Sequence, residues 1–316
     1  LFQREFEKLL KQEAVKVLMG TIKDNPHFSK GKFVIVGSTI NGTAATKSDL
    51  DLHFCMNVPN DRMPSLKQLC EHLKRQRCVT SVYPIFLTTV PIVQVVLNPP
   101  YDLLRIEISI DSCHAVHTTH LVRHYMKMDY RARYLAFLVK EWAVNQNIRT
   151  PSNGTMSGIS LVIMVIHFLQ CCCNPPILPN LQFTRQDLFS NNIPTERLVE
   201  IEDASSLFPC QMPSNDATLG ELFIAFFEYY SNFGFDQNGI SLEHGGIISR
   251  DELSVETDRR GMYVDEPFAH FNTLRSLVDY DLVLQSIKDA FHLLNGHKLN
   301  EAAPDFKILM HQKNSL

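Results

Sequence analysis

GSTINGTAATKSDLDLHF, Gly37 to Phe54, is the stretch from which the rest of the chain can be read. Leu50 to Met56 reads as a strand, preceded by the polar loop Asn41 to Ser48. Side chains on a strand repeat every two residues, so Asp49 and Asp51 share a face. Two carboxylates side by side repel each other and are costly without a cation between them. Mg²⁺ relieves that repulsion, and oxygen ligands are what this hard cation prefers. Just upstream, Phe33 to Val36 reads as a buried strand that turns sharply at Gly37-Ser38. Such a turn can bring a backbone N–H and a hydroxyl close to a phosphate at the start of a short helix. A third acidic group is expected from a neighbouring strand, and RIEISID supplies Glu107, with Asp111 two alternations later. Strand carboxylates beside a phosphate-holding turn describe two-metal phosphoryl or nucleotidyl transfer. A DxD alone is more often a strand end with two solvated carboxylates; the glycine turn upstream and the flanking strands make the difference.

Outward from this stretch the pattern stays mixed as far as Asp111 and then turns helical. Phe6, Leu9, Leu10, Ala14, Val17 and Leu18 recur at helical spacing, and Asp24-Asn25-Pro26 breaks the run. Ser65 to Arg75 reads as a helix; Val79 to Leu87, Ile92 to Leu97 and Arg105 to Ile110 read as strands. Later, Thr118 to Lys127, Ala132 to Asn145, Ser157 to Gln170, Leu219 to Tyr230 and Leu282 to Leu294 have helical periodicity. Asn174 to Met212, rich in Pro, Asn and Ser, is expected to wind over the surface.

The 316 residues are 45% apolar and 20% charged, which excludes a disordered, collagen-like or coiled-coil chain. The net charge of −4 excludes a global attraction to nucleic acid, so a polyanion has to find a local basic strip. Ile159 to Leu169 is too short to span a bilayer and contains His167. The charged opening LFQREFEKLLKQEAVK shows no secretory pattern, so no membrane partner is expected. None of the eight cysteines forms a CxxC pair, and Cys171, Cys172 and Cys173 are adjacent, so structural thiols in a reducing, intracellular setting are expected. His114, His117, His120 and His124 have zinc-like spacing without a Cys or acidic partner, and His72, Lys74, Arg75 and Arg77 read as a solvated helix face. Trp142 reads as core.

The pattern G-S-x9-S-D-x-D, followed by an acidic residue in a strand, resembles the nucleotidyltransferase superfamily of DNA polymerase beta. Within it, the chain is similar to the cytoplasmic poly(A) polymerases and terminal uridylyltransferases. RARYLAFLVKEWA (Arg131 to Ala143) is similar to the family's K-x-W-A helix, GTMSGISLVIMVIHFLQ (Gly154 to Gln170) to its G-T-L-S-S-Y helix, and PPILPNLQ (Pro175 to Gln182) to its P-P-x-L-P-x-L-Q. LGELFIAFFEYY and DEPFAHFNTLRSL match two later family segments. The resemblance implies an α+β fold: a nucleotidyltransferase domain with a small mixed sheet over residues 18–120, and a mainly helical central domain made of residues 1–17 and 121–316, sharing one cleft. It implies template-independent RNA 3′-end extension with Mg²⁺ or Mn²⁺ on Asp49, Asp51 and Glu107. Gly37, Ser38, Thr118, Lys140, Ser157, His270, Phe271 and Asn272 are then expected to contact the nucleotide. Arg123, Arg131 and Arg133 are expected along the RNA path. A cytoplasmic or nuclear location is implied, and the absence of an RNA-recognition module in this chain points to an RNA-binding protein partner.

The sequence also departs from that family pattern. Glu107 stands where Asp is usual, Thr118 where an Asn contacts ribose, and Gly158-Ile159 where a Ser-Tyr pair binds phosphate and stacks on the base. In uridylyltransferases a His precedes the final Asn; here Phe271 directly precedes Asn272 and His270 lies one position earlier. Taken literally this favours ATP over UTP. A uridylyltransferase, or a weakened relative serving as a protein-binding scaffold, stay as alternatives.

Overall fold

The computed structural model describes residues 2–56, 62–87, 90–110, 113–200, 214–253 and 261–297. Asp111, named above as a further acid, lies outside them. The chain forms two compact units: Leu1–Arg123 with Pro194–Ile201, and His124–Ile193 with Glu202–Leu316.

The first unit contains helix α1 (Glu5–Ile22), β1 (Lys32–Val36), the single turn α2 (Ser38–Asn41), β2 (Leu50–Cys55), α3 (Arg62–Lys74), β3 (Val79–Ile85), β4 (Ile92–Leu97) and β5 (Ile106–Ile110). The strands lie in the order β1-β2-β5-β4-β3; β2 and β5 run parallel and the other neighbours antiparallel. Side-chain alternation gives this mixed sheet two different faces. Leu50, Leu52 and Phe54 of β2, Ile106, Ile108 and Ile110 of β5, and Val93, Val95 and Leu97 of β4 join one hydrophobic core. That core is closed by Leu66, Leu69 and Leu73 of α3 and by Ala14, Leu18 and Ile22 of α1. The opposite face carries Asp51 and His53 of β2, Glu107 and Ser109 of β5, and Gln94 of β4, aligned by strand register.

Residues 1–17 were expected with the helical domain. They belong instead to the sheet unit, because Ala14, Leu18 and Ile22 lie on one face of a single continuous helix and are buried against the sheet's apolar side. Helix α4 (Cys113–Met128) begins in the first unit and ends in the second.

The second unit holds α5 (Tyr130–Asn145), α6 (Gly158–Cys171) and the short α7 (Leu181–Thr184) and α8 (Gln186–Phe189); α9 (Thr195–Glu200) belongs to the first unit. Then follow α10 (Leu219–Ser231), a hairpin of β6 (Asn238–Ser241) and β7 (Gly246–Ser249), β8 (Tyr263–Val264) and α11 (Tyr280–His297). Residues 160–170 of α6 are buried on all sides, as a helix apolar around its whole circumference must be. Trp142 of α5 is 1% exposed and meets Phe227 of α10 edge-on at 4.7 Å. The three-stranded sheet β7-β6-β8 was not expected; strands of two to four residues are too short to show an alternation. The Asn174 to Met212 segment is less of a surface strap than expected, since Ile177, Leu178, Leu181, Leu188 and Phe189 are buried; residues 201–213 lie outside the described set. Among the described residues no helix is long and apolar enough to cross a membrane.

Candidate active site

The site begins at the end of β1. Gly37 has φ 69° and ψ −150°, a region that only glycine enters without strain. A Cβ there would also run into the Asp51 carboxylate, so glycine lets the turn and the carboxylate meet. The Gly37 N–H was expected to face a phosphate. It donates instead to Thr119 Oγ1 at 2.9 Å, and Thr119 in turn donates to the Ala115 carbonyl of α4. Gly37 thus acts through its conformation, and the adjacent Ser38 hydroxyl, which bonds no described residue, is the turn's available donor.

Asp51 pairs in register with Glu107 on the parallel β2–β5 ladder and with Val36 on β1. Asp49 lies two residues before Asp51, and its Oδ1 is 3.9 Å from Arg105 Nε. Glu107 Oε1 accepts a hydrogen bond from Gln94 Nε2 at 3.3 Å. Burial, and next the negative charge of Asp49, push the Glu107 carboxyl above its ordinary value. An all-oxygen set of neighbouring carboxylates has the chemistry of a Mg²⁺ or Mn²⁺ site. Among the described residues, though, no three such side chains are set to hold a metal ion as they stand. Like charges repel, and Asp49 and Glu107 are turned to neighbours of their own, Arg105 and Gln94. The expected donors therefore share a sheet face without being drawn into a ligand cluster. Next on this face, His53 is 1% exposed, near Ser109 Oγ at 3.3 Å, and burial pulls it down to about 4, so it is neutral.

Lys11 was missed by sequence reasoning. It is 2% exposed, and Nζ donates to Thr39 Oγ1 at 2.9 Å, Ser48 Oγ at 3.0 Å and the Asp49 carbonyl at 2.9 Å. Burial pulls its pKa down to about 8 against the opposing pull of Asp51, Asp49 and Glu7. A lysine in a charged helical run carries no sequence mark that separates it from a solvated one.

In the second unit, Lys140 is 6% exposed. A Cβ placed on Gly158, at the start of α6, would lie 3.9 Å from Lys140 Cε and equally far from Arg149 Nη1. Two cationic side chains thus flank the residue that replaces the expected serine, and Arg149 was not singled out beforehand. Several expected contacts are committed elsewhere. Ser157 caps α6, accepting from Ser160 N and donating to the Thr273 carbonyl. Asn272 Oδ1 accepts from Val264 N and Leu274 N, and its Nδ2 donates to the Met262 carbonyl, so its amide holds β8 and the following loop. Arg131, expected along the RNA path, pairs with Asp129 and donates to the Asn215 and Ala217 carbonyls. Thr118 is 6% exposed within α4. Arg123 and Arg133 are half-buried. His270, at φ 52°, sits 3.3 Å from Asp265 Oδ2 and 3.4 Å from Glu243 Oε2, and Phe271 lies 4.2 Å beneath the Arg275 guanidinium.

Comparison with known proteins agrees with this geometry. Residues 3–127 match a family model described as the central palm domain of mitochondrial-like poly(A) RNA polymerase, and residues 218–272 one described as Cid1 family poly A polymerase. The chain is 29% identical to poly(A) RNA polymerase gld-2 of Caenorhabditis elegans, covering 86% of this chain and 29% of that protein. It is 28% identical to human poly(A) RNA polymerase GLD2, covering 88% and 59%. The chain thus spans well under two thirds of the length of these relatives. Among solved structures, GLD-2 in its complex with RNP-8 is 30% identical with a TM-score of 0.80, covering 98% of this chain and 94% of that one. The Cid1 poly(U) polymerase shares the fold at 23% identity, with a TM-score of 0.79 over 99% and 94%. With the paired carboxylates beneath a glycine turn, and this likeness along nearly the whole chain, the protein belongs to the Cid1 family of poly(A) polymerase-type nucleotidyltransferases.

Proposed function

We propose that this chain adds adenylate from ATP to RNA 3′ ends without a template. The observation that carries the reading is the in-register pair Asp51–Glu107 beneath the Gly37 turn, with Asp49 two residues upstream. Asp49 and Asp51 would hold the divalent cations, Mg²⁺ or Mn²⁺, and Glu107 would orient the RNA 3′-hydroxyl and take its proton. The cations, when bound, supply Lewis-acid stabilisation of the attacking oxygen and of the leaving pyrophosphate. Ser38 offers its hydroxyl to the triphosphate, so phosphoryl transfer is helped mainly by positioning and electrostatics.

Adenylate is favoured over uridylate by two observations. Phe271 directly precedes Asn272, and His270 is occupied by two carboxylates. The relatives named poly(A) RNA polymerases are also nearer in sequence than the poly(U) polymerase, whose likeness is one of fold. With net charge −4, the chain depends on an RNA-binding protein partner to bring substrates, in the cytoplasm. The GLD-2 structures solved with RNP-8 and with GLD-3 support a partnered mode of action. Incubation of a labelled oligoribonucleotide with each nucleoside triphosphate in turn tests the reading. A ladder with ATP, and little with UTP, is expected; a UTP ladder names the chain a uridylyltransferase, and no ladder with any triphosphate in Mg²⁺ or Mn²⁺ points to a scaffold.

A further inference from the structure

Lysine carries three N–H donors and no acceptor, and a buried ammonium is stable only when all three are taken. At Lys11 they are: Thr39 in α2, Ser48 in the loop before β2, and the carbonyl of Asp49. These acceptors belong to two separate parts of the site. Thr39 follows Ser38 in the phosphate turn, and Ser48-Asp49 carries the first carboxylate. A single side chain from α1 spans both, at 2.9 to 3.0 Å to each acceptor. The same face of the N-terminal segment grips the loop further along. Gln3 N donates to the Ala44 carbonyl, and Lys47 N, from a residue at φ 62°, donates to Glu7 Oε1 at 3.1 Å. Glu7 and Lys11 are four apart on α1 and so lie on one helical stripe, with Gln3 just before the helix. The Asp49 side chain, by contrast, has only a loose contact with Arg105 at 3.9 Å, so its placement depends on its backbone.

We infer that Lys11 is a positioning residue: it braces the phosphate turn to the Asp49 backbone, so that the carboxylates and the triphosphate turn keep one fixed separation. The inference rests on the adenylyltransferase reading. It gives α1, through Lys11 alone, a part in placing the site, in addition to its apolar contribution to the core.

The test compares wild type, Lys11→Met and Glu7→Ala. Glu7→Ala cuts the outer tether at Lys47 and leaves the Lys11 contacts in place. Three quantities are read: Mn²⁺ affinity by electron paramagnetic resonance, kcat with ATP on an oligoribonucleotide, and melting temperature. The expected result is that Lys11→Met loses at least tenfold in Mn²⁺ affinity and in kcat. Glu7→Ala should lower the melting temperature and stay within threefold of wild type in both. A purely structural lysine would lower the melting temperature and leave Mn²⁺ affinity and kcat of the folded protein unchanged. If Lys11→Met does not fold, Lys11→Gln, which keeps two donors, carries the test, with a loss of at least threefold expected. Mn²⁺ affinity and kcat within twofold of wild type in the folded variant overturn the brace alone. A wild-type chain that neither binds Mn²⁺ nor extends RNA overturns the adenylyltransferase reading and the brace with it.

Discussion

Gly37 concentrates two constraints in one residue: a backbone that other residues enter only under strain, and a side-chain position already filled by the Asp51 carboxylate. Gly37→Ala is expected to cost about 2 kcal/mol locally and to lower kcat at least tenfold, because the collision pushes the Asp51 carboxylate aside. Turnover at saturating ATP checks this, and a variant with wild-type kcat would count against the turn's role. His167 offers a test of a different kind. It is fully buried, and its Nδ1–H donates to Tyr230 Oη, since that hydroxyl's own hydrogen goes to the Met164 carbonyl. Nε2 has no partner among the described residues, so burial pulls the imidazole down to about 4 from an ordinary value near 6.5. The unfolded chain therefore takes up this proton first as pH falls. Stability from this group is complete above about pH 6.5 and declines down to about pH 4. Between pH 7.5 and 5 the loss is about 2 kcal/mol, and urea midpoints should show it shrinking by that amount in His167→Asn. An unchanged pH dependence in that variant would contradict the assignment.

At the scale of elements, the strands and helices around Gly37 to Phe54 were legible because turn, alternation and charge agree there. The β2 and β5 carboxylates could be paired on paper because strand period alone puts Asp51 and Glu107 each on a definite face. Other functions were illegible for physical reasons. Ser157 and Asn272 were expected to contact the nucleotide and Arg131 to lie along the RNA path, and their polar atoms also complete a helix cap, a loop and a chain crossing. A sequence does not show which partner a hydrogen-bonding group will find. Lys11 was hidden for the opposite reason, as one charge among many on a helix. Arg131 gives the sharpest check: Arg131→Met should cost about 2 kcal/mol of stability, from the lost bonds to Asn215 and Ala217, and leave RNA affinity unchanged. Urea unfolding with filter binding separates the two, and a tenfold loss of RNA affinity at unchanged stability would place Arg131 on the RNA path.

At the scale of the whole molecule, the mixed-sheet unit and the helical unit were both foreseeable from the change of pattern after Asp111. The membership of α1 was not, since its apolar face fits any core and only the folded chain shows which one it enters. The overall charge of −4 carries its own expectation. The isolated chain should bind RNA only in the range of about 1–100 µM at physiological salt, as sequence-independent contacts allow. Fluorescence anisotropy with a labelled oligoribonucleotide measures this directly, and nanomolar binding without a partner would refute the need for one. The central claim, that carboxylates on the β2–β5 ladder perform nucleotidyl transfer, is tested most directly by single-turnover extension of an RNA primer with ATP and Mg²⁺, comparing wild type with folded Asp51→Ala. The account predicts a loss of at least about 10³-fold, roughly 4 kcal/mol in the barrier, whereas an Asp51→Ala enzyme within threefold of wild type would contradict it.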